Sequence, residues 1–181
     1  MPKIVEEYSY NGARERIARL GLTPILEELQ GILTGFSLRA EEKRDANGGA
    51  AVRRLIDERF PRAWKKVAAE DIDWTRCHTI NGTRVCVGVE IQMSARSDLL
   101  VVDVIHLRGA LEGGDIDVAV LVVPSDRLGV FLTDCGPRMA DAKKHVRAAR
   151  ADDLPILLIA IEHDGAGPAL AKQATRPRKK P

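Results

Sequence analysis

Residues 71–93 read DIDWTRCHTI-NG-TRVCVGVEIQM. Two runs rich in β-branched residues flank Asn81-Gly82, a dipeptide that tolerates the positive φ needed at both central positions of a type I′ turn. The stretch is therefore predicted to be a β-hairpin. A two-residue turn also sets the register: Ile80 faces Thr83, Cys77 faces Cys86, Trp74 faces Val89 and Asp73 faces Glu90, provided no bulge intervenes. Side chains alternate between faces, so Val85, Val87 and Val89 are expected in the core, with Glu90 and Gln92 on the opposite face. Two facing carboxylates repel unless something compensates, and an acid inside the apolar run VCVGVEIQM is costly to bury alone. A hard divalent cation relieves both penalties, since Mg²⁺ prefers oxygen ligands. A surface hairpin that carries an Asp and a Glu by chance is the plain alternative.

Ahead of the hairpin, residues 13–40 have the spacing of one or two helices, with Pro24 in a first turn and Ile25, Leu26, Leu29, Ile32 and Leu33 on one side. The charged, then Gly-rich stretch from Arg39 to Gly49 reads as a loop or helix junction. A further helix is expected over 50–59, with Val52, Leu55 and Ile56 on one side, and a short one after Pro61 carrying Trp64 and Val67. Behind the hairpin, Ser97-Asp98 can cap a helix reaching about Leu111. Its Val-rich middle also fits a strand; its length and the Gly113-Gly114 stop favour the helix. Residues 116–123 and 156–161 are almost wholly apolar, as strands buried on both faces are. Residues 137–150 read as a helix with a basic face, and the chain from Pro168 as irregular. The succession implies an α/β fold, one mixed sheet with helices on both faces. It reads as a single domain over 1–170, with an N-terminal helical part (about 1–68) and an α/β core (about 69–162), followed by a tail, 171–181.

The chain has 181 residues, of which 45% are apolar, enough to bury one core. Its net charge of +2 is unevenly spread: Lys172, Arg176, Arg178, Lys179 and Lys180 give the tail +5 with no acid, so the body carries −3. Such a tail can bind phosphates or simply be solvated. The start is not signal-like, and no apolar run approaches the roughly 18 residues of a membrane span. Three cysteines (Cys77, Cys86 and Cys135) are few and odd in number, so a cytoplasmic protein with reduced thiols is expected. They and the four histidines form no closed zinc pattern.

The stretch from Asp71 to Pro124 resembles the BglII-like type II restriction endonucleases of the PD-(D/E)xK nuclease superfamily. Glu90-Ile91-Gln92 matches the family's E-x-Q, in which Gln stands where related nucleases have Lys. The following SARSDLL resembles the start of the post-hairpin helix, and Gly114-Asp115-Ile116-Asp117-Val118 the start of the next core strand. Tyr8–Gly12 (YSYNG) and Pro155–Glu162 (PILLIAIE) are also similar. The resemblance implies a restriction-endonuclease-like sheet core flanked by helices. It further implies a homodimer that cuts double-stranded DNA at a short palindromic site, commonly GATC-centred, leaving 5′ overhangs and using Mg²⁺, for which Mn²⁺ substitutes. Asp73, Glu90 and Gln92 are the expected catalytic residues, the two acids being the metal ligands. Some relatives place the Asp nine residues before the Glu, which here is Asn81. If Asn81 held that position, the chain would be an inactive, DNA-binding nuclease fold. The facing register favours Asp73. Glu58, on the helix before the hairpin, is the candidate for a further acid.

Gln92 can place a water but cannot act as a strong base, because a neutral amide has no useful basicity. Phosphate contacts would position the DNA and base contacts would read it. Arg76, Arg84, Arg96, Lys143, Lys144 and Arg147 are the cationic candidates. Ser94, Ser97, Asn81 and the loop His163-Asp164-Gly165-Ala166-Gly167 are the polar ones. The helix before the hairpin and the one near 98–111 are candidates for a dimer surface. Two other roles fit the sequence, a repair or mobile-element nuclease and a structural or protein-binding α/β module. The latter explains the fold but not the placing of Glu-x-Gln.

Overall fold

A computed structural model describes residues 1–67, 72–94, 99–133 and 136–172. Its centre is three parallel strands: β5 (Thr83–Ile91), β6 (Val118–Pro124) and β7 (Ile156–Glu162). The hairpin partner β4 (Ile72–Ile80) and the short β3 (Lys65–Val67) extend the sheet on one side. On the other side lies β1 (Lys3–Ser9), antiparallel to β7, giving the order β1-β7-β6-β5-β4-β3. A separate two-stranded parallel ribbon joins β2 (Arg39–Ala40) to β8 (Gly165–Ala166).

Alternation divides the core between the two faces. Val85, Val87, Val89 and Ile91 join Val118, Val120, Val122, Leu157, Ile159 and Ile161 on one face. Helices α1 (Ala13–Arg19), α2 (Thr23–Thr34) and α3 (Gly49–Asp57) cover it. The opposite face, with Cys86, Leu121, Val123, Leu158 and Ala160, lies under α4 (Leu100–Gly113) and α6 (Met139–Ala148). This is the α/β restriction-endonuclease-like architecture, a mixed sheet flanked by helices. A six-residue helix, α5 (Asp126–Phe131), follows β6, with Ser125 Oγ accepting from Leu128 N at 2.9 Å as its N-cap.

Several expectations need correction. The part read as helical, residues 1–68, contributes both edge strands of the sheet, β1 and β3. An edge strand has one neighbour and one open side, so KIVEEYS lacks the continuous apolar run of a central strand. Trp64 and Val67 sit at a turn and in β3 rather than on a helix. The reduced-thiol reading also changes: Cys77 and Cys86, facing each other with Cα atoms 4.0 Å apart, are joined in a disulfide. Ser97, Asp98, Cys135 and the tail from residue 173 lie outside the described residues.

Candidate active site

The hairpin turns as its sequence requires, with φ of 51° at Asn81 and 81° at Gly82. Its ladder runs from Ile80–Thr83 through Cys77–Cys86 to Trp74–Val89. Beyond that rung, side chains take over. Asp73 N donates to Glu90 Oε1 at 3.2 Å, and Ile91 N donates to Asp73 Oδ2 at 2.9 Å. The two acids are thus in contact where β4 begins and β5 ends, and Glu90 is only 6% exposed.

Three further polar residues surround them. Arg53, one turn into α3, places Nη2 2.6 Å from Asp73 Oδ1 and Nη1 on the Ile91 carbonyl. Its Nε lies 3.0 Å from Asp57 Oδ2, an ion pair whose angle falls short of a hydrogen bond. Asp57 Oδ1 accepts from Trp74 Nε1 at 2.9 Å, so the acid is aimed by the hairpin itself. On the other side of the sheet, Gln92 Nε2 donates to Asp103 Oδ2 in the first turn of α4.

These contacts set the charges. Burial, reinforced by the hydrogen bond and charge of Asp73 and by the charge of Asp103, pushes the Glu90 carboxyl up to about 10. Burial works in the same direction on Asp73, but the Arg53 guanidinium and the bonds from Glu90 and Ile91 outweigh it and hold Asp73 below its ordinary range. Asp103 is raised, chiefly by burial and then by the charge of Asp73, against the Gln92 bond. Burial thus biases Glu90 toward its neutral form, whereas Arg53 favours the charged form of Asp73. Among the described residues, no three His, Cys, Asp or Glu side chains gather closely enough to hold an ion unaided. The oxygens that do converge are carboxylates, those of Asp73 and Glu90. They suit a hard divalent cation whose shell water or phosphate completes.

The other candidates disperse. Asn81 is at the hairpin tip, eight residues from Asp73, or about 26 Å of extended chain. Arg84 is exposed and two residues from the turn. Glu58 is exposed at the end of α3; the acid that this helix directs inward is Asp57. Arg76 donates to the Ala63 carbonyl at 3.0 Å and lies 3.8 Å from Glu28. Ser94 closes the segment after β5, packed on Gly49. Lys143 pairs with Glu6 at 2.5 Å and covers the Tyr8 ring, whereas Lys144 and Arg147 are exposed on α6. Arg96 and Ser97 lie outside the described residues.

His163 and Asp164 are engaged within the fold. Both ring nitrogens of buried His163 face carboxylates, Nδ1 that of Glu162 and Nε2 that of Glu42 at 3.0 Å. Ser125 Oγ donates to Glu162 Oε2 at 2.6 Å. Asp164 Oδ2 accepts from the N-terminal ammonium at 2.6 Å. Arg53, Asp57 and Asp103 are site residues that the motifs do not mark. Two signals existed, an i,i+4 Arg–Asp pair on the polar side of α3 and a lone acid inside LVVDVIHL.

A mixed sheet whose central hairpin ends in an Asp, a Glu and a Gln-bearing segment is a nuclease-like arrangement. The chain matches the family described as restriction endonuclease BglII/BglIII over residues 5–161, and it belongs to that family. It is thus a restriction endonuclease by family, an enzyme class that acts on DNA. Comparison with curated proteins finds no match.

Proposed function

We propose that this chain hydrolyses phosphodiester bonds of double-stranded DNA at a short palindromic site, GATC-centred as in similar enzymes, with Asp73, Glu90 and Gln92 as its catalytic residues. The observation that carries this reading is the direct contact of Asp73 with Glu90 beside Gln92, in a chain of this family. Asp73 and Glu90 would hold Mg²⁺, or Mn²⁺ in its place. The ion, when bound, neutralises charge on the phosphate and lowers the pKa of water. Glu90 would hold the ion in its ionised form. Gln92 commits its amide N–H to Asp103, which leaves its carbonyl oxygen to orient a water by accepting from it. Arg53 positions Asp73 through their ion pair.

A palindrome calls for a two-fold protein. Leu99, Val102 and Ile105 stand 49%, 42% and 52% exposed along α4, and this apolar stripe supports a homodimer. The enzyme would act in the cytoplasm. Among the described residues, no helix is long and apolar enough to cross a membrane.

The test is digestion of a long defined DNA with Mg²⁺, followed by mapping of the ends. Discrete fragments are expected, and Asp73→Ala and Glu90→Ala should each reduce cutting by about a thousandfold or more while retaining DNA binding. Binding without cutting, with Mg²⁺ or Mn²⁺, would establish an inactive nuclease fold instead. Cutting at random sites would indicate a repair or mobile-element role.

A further inference from the structure

A second charged feature lies on the N-terminal side of α3. A surface cavity of about 450 Å³ is walled by the loop from Glu41 to Ala46 and by residues 169–172. Lys43, Arg44 and Lys172 line it together with two acids, Glu41 and Asp45. The three cations are exposed, and among the described residues none of them forms an ion pair. The neighbouring acid Glu42 is already committed, to Arg127 at 2.9 Å and to His163 at 3.0 Å.

The walls are built rather than draped. Asn47 is fully buried, and its side chain makes four hydrogen bonds. Its Oδ1 accepts from Glu41 N at 3.0 Å and Leu170 N at 3.1 Å; its Nδ2 donates to the carbonyls of Glu41 and Phe131. One amide therefore clamps the loop, the end of α5 and residue 170 together. Gly48 packs so closely on residue 171 that a Cβ there would come 2.2 Å from its carbonyl oxygen. The chain leaves the cavity wall at Ala46 and enters α3, the helix that carries Arg53, at Gly49. Gly49 abuts the Met93 carbonyl, and Arg53 follows one turn later, about 6 Å along the helix axis. Finally, Lys172 is the point from which the sequence continues into Arg176, Arg178, Lys179 and Lys180 without an acid.

We infer that the surface formed by Lys43, Arg44 and Lys172 binds backbone phosphates of the DNA substrate beside the scissile position, adding a sequence-independent hold on the duplex. This rests on the DNA-cutting reading above and extends it to a surface outside the catalytic residues. Cations that displace counterions from DNA give binding a steep salt dependence, with log K falling about 0.9 per phosphate neutralised for each unit of log salt.

The experiment compares the full chain with the Lys43→Ala/Arg44→Ala/Lys172→Ala variant on a duplex oligonucleotide, binding being measured in a chelator and cleavage in a separate arm with Mg²⁺. The variant should show a salt slope shallower by about 2.7, a raised KM, an unchanged kcat and the same cut positions. The Lys43→Arg/Lys172→Arg variant should keep the parent slope. An unchanged slope in the alanine variant, with a parent that cuts DNA, overturns the inference alone. A parent that binds but never cuts, with the slope still lost in the variant, sinks the cleavage reading and leaves the phosphate surface standing. A parent that does not bind DNA removes both. Inorganic phosphate that raises the Tm of the parent but not of the alanine variant, with no change in DNA slope, would identify a free-anion site and overturn the DNA assignment.

Discussion

Glu90 concentrates the electrostatics of the site. Its carboxyl is pushed up to about 10, so between its ordinary value of 4.5 and that point it stays protonated in the folded chain and ionises in the unfolded one. The unfolded state then binds fewer protons, and raising the pH through this window favours unfolding. In chelated protein, the Tm should fall from pH 6 to pH 9 more steeply for the parent than for Glu90→Gln, which keeps the neutral form at every pH. Parallel pH profiles from differential scanning fluorimetry would refute this. Asp73 shows the opposite behaviour because Arg53 sits 2.6 Å away. Glu90 and Asp73 were legible from the register of one turn, because strand pairing converts a spacing in sequence into a contact. Arg53, Asp57 and Asp103 were not, because they come from helices whose docking no local pattern dictates.

At the scale of elements, the hairpin and α3 depend on different constraints. Asn81 adopts φ 51° in an exposed turn, far from the acids. Asn81→Ala should therefore cost about 1 kcal/mol in urea unfolding, as left-handed backbone does for Ala, and leave cleavage unchanged. Loss of cleavage in that variant at full folding would return Asn81 to the metal site. Gly49 lacks space for any side chain: a Cβ would lie 2.0 Å from the Met93 carbonyl oxygen. Gly49→Ala should destabilise by about 3 kcal/mol and lower activity as well, because the displaced segment carries Gln92. A fully stable, fully active variant would show that α3 can slide without disturbing the site. The hairpin was readable because Asn-Gly and alternation act over a few residues. The edge strands β1 and β3 were not, since only their partners β7 and β4 make them strands.

At the scale of the molecule, the proposed homodimer rests on the apolar stripe on α4. Leu100, Val104 and Leu107 already fill the core from one side of that helix, while Leu99, Val102 and Ile105 face outward. Ile105→Asp should shift the chain from dimer to monomer in sedimentation velocity and weaken double-strand cutting more than nicking. A parent that sediments as a monomer at micromolar concentration, with full activity, would exclude this interface.

The chain order alone was enough for the elements with strong local signals. These were the Asn81-Gly82 hairpin and its pairing down to Trp74 and Val89, the apolar strands β6 and β7, and α2 with its one-sided spacing. From the same register came the approach of Asp73 to Glu90, and from the ordered set of short motifs around Glu-x-Gln came the resemblance to the family. Tertiary packing decided the rest: the edge positions of β1 and β3, the Cys77–Cys86 bond, the enclosure of Asp73 by Arg53, and the hold of Asp103 on Gln92. The physical reason is range. Turn geometry and alternation are local and appear in a short string, whereas desolvation and charge pairing depend on segments far apart in sequence. Such segments meet only once the sheet has closed its core.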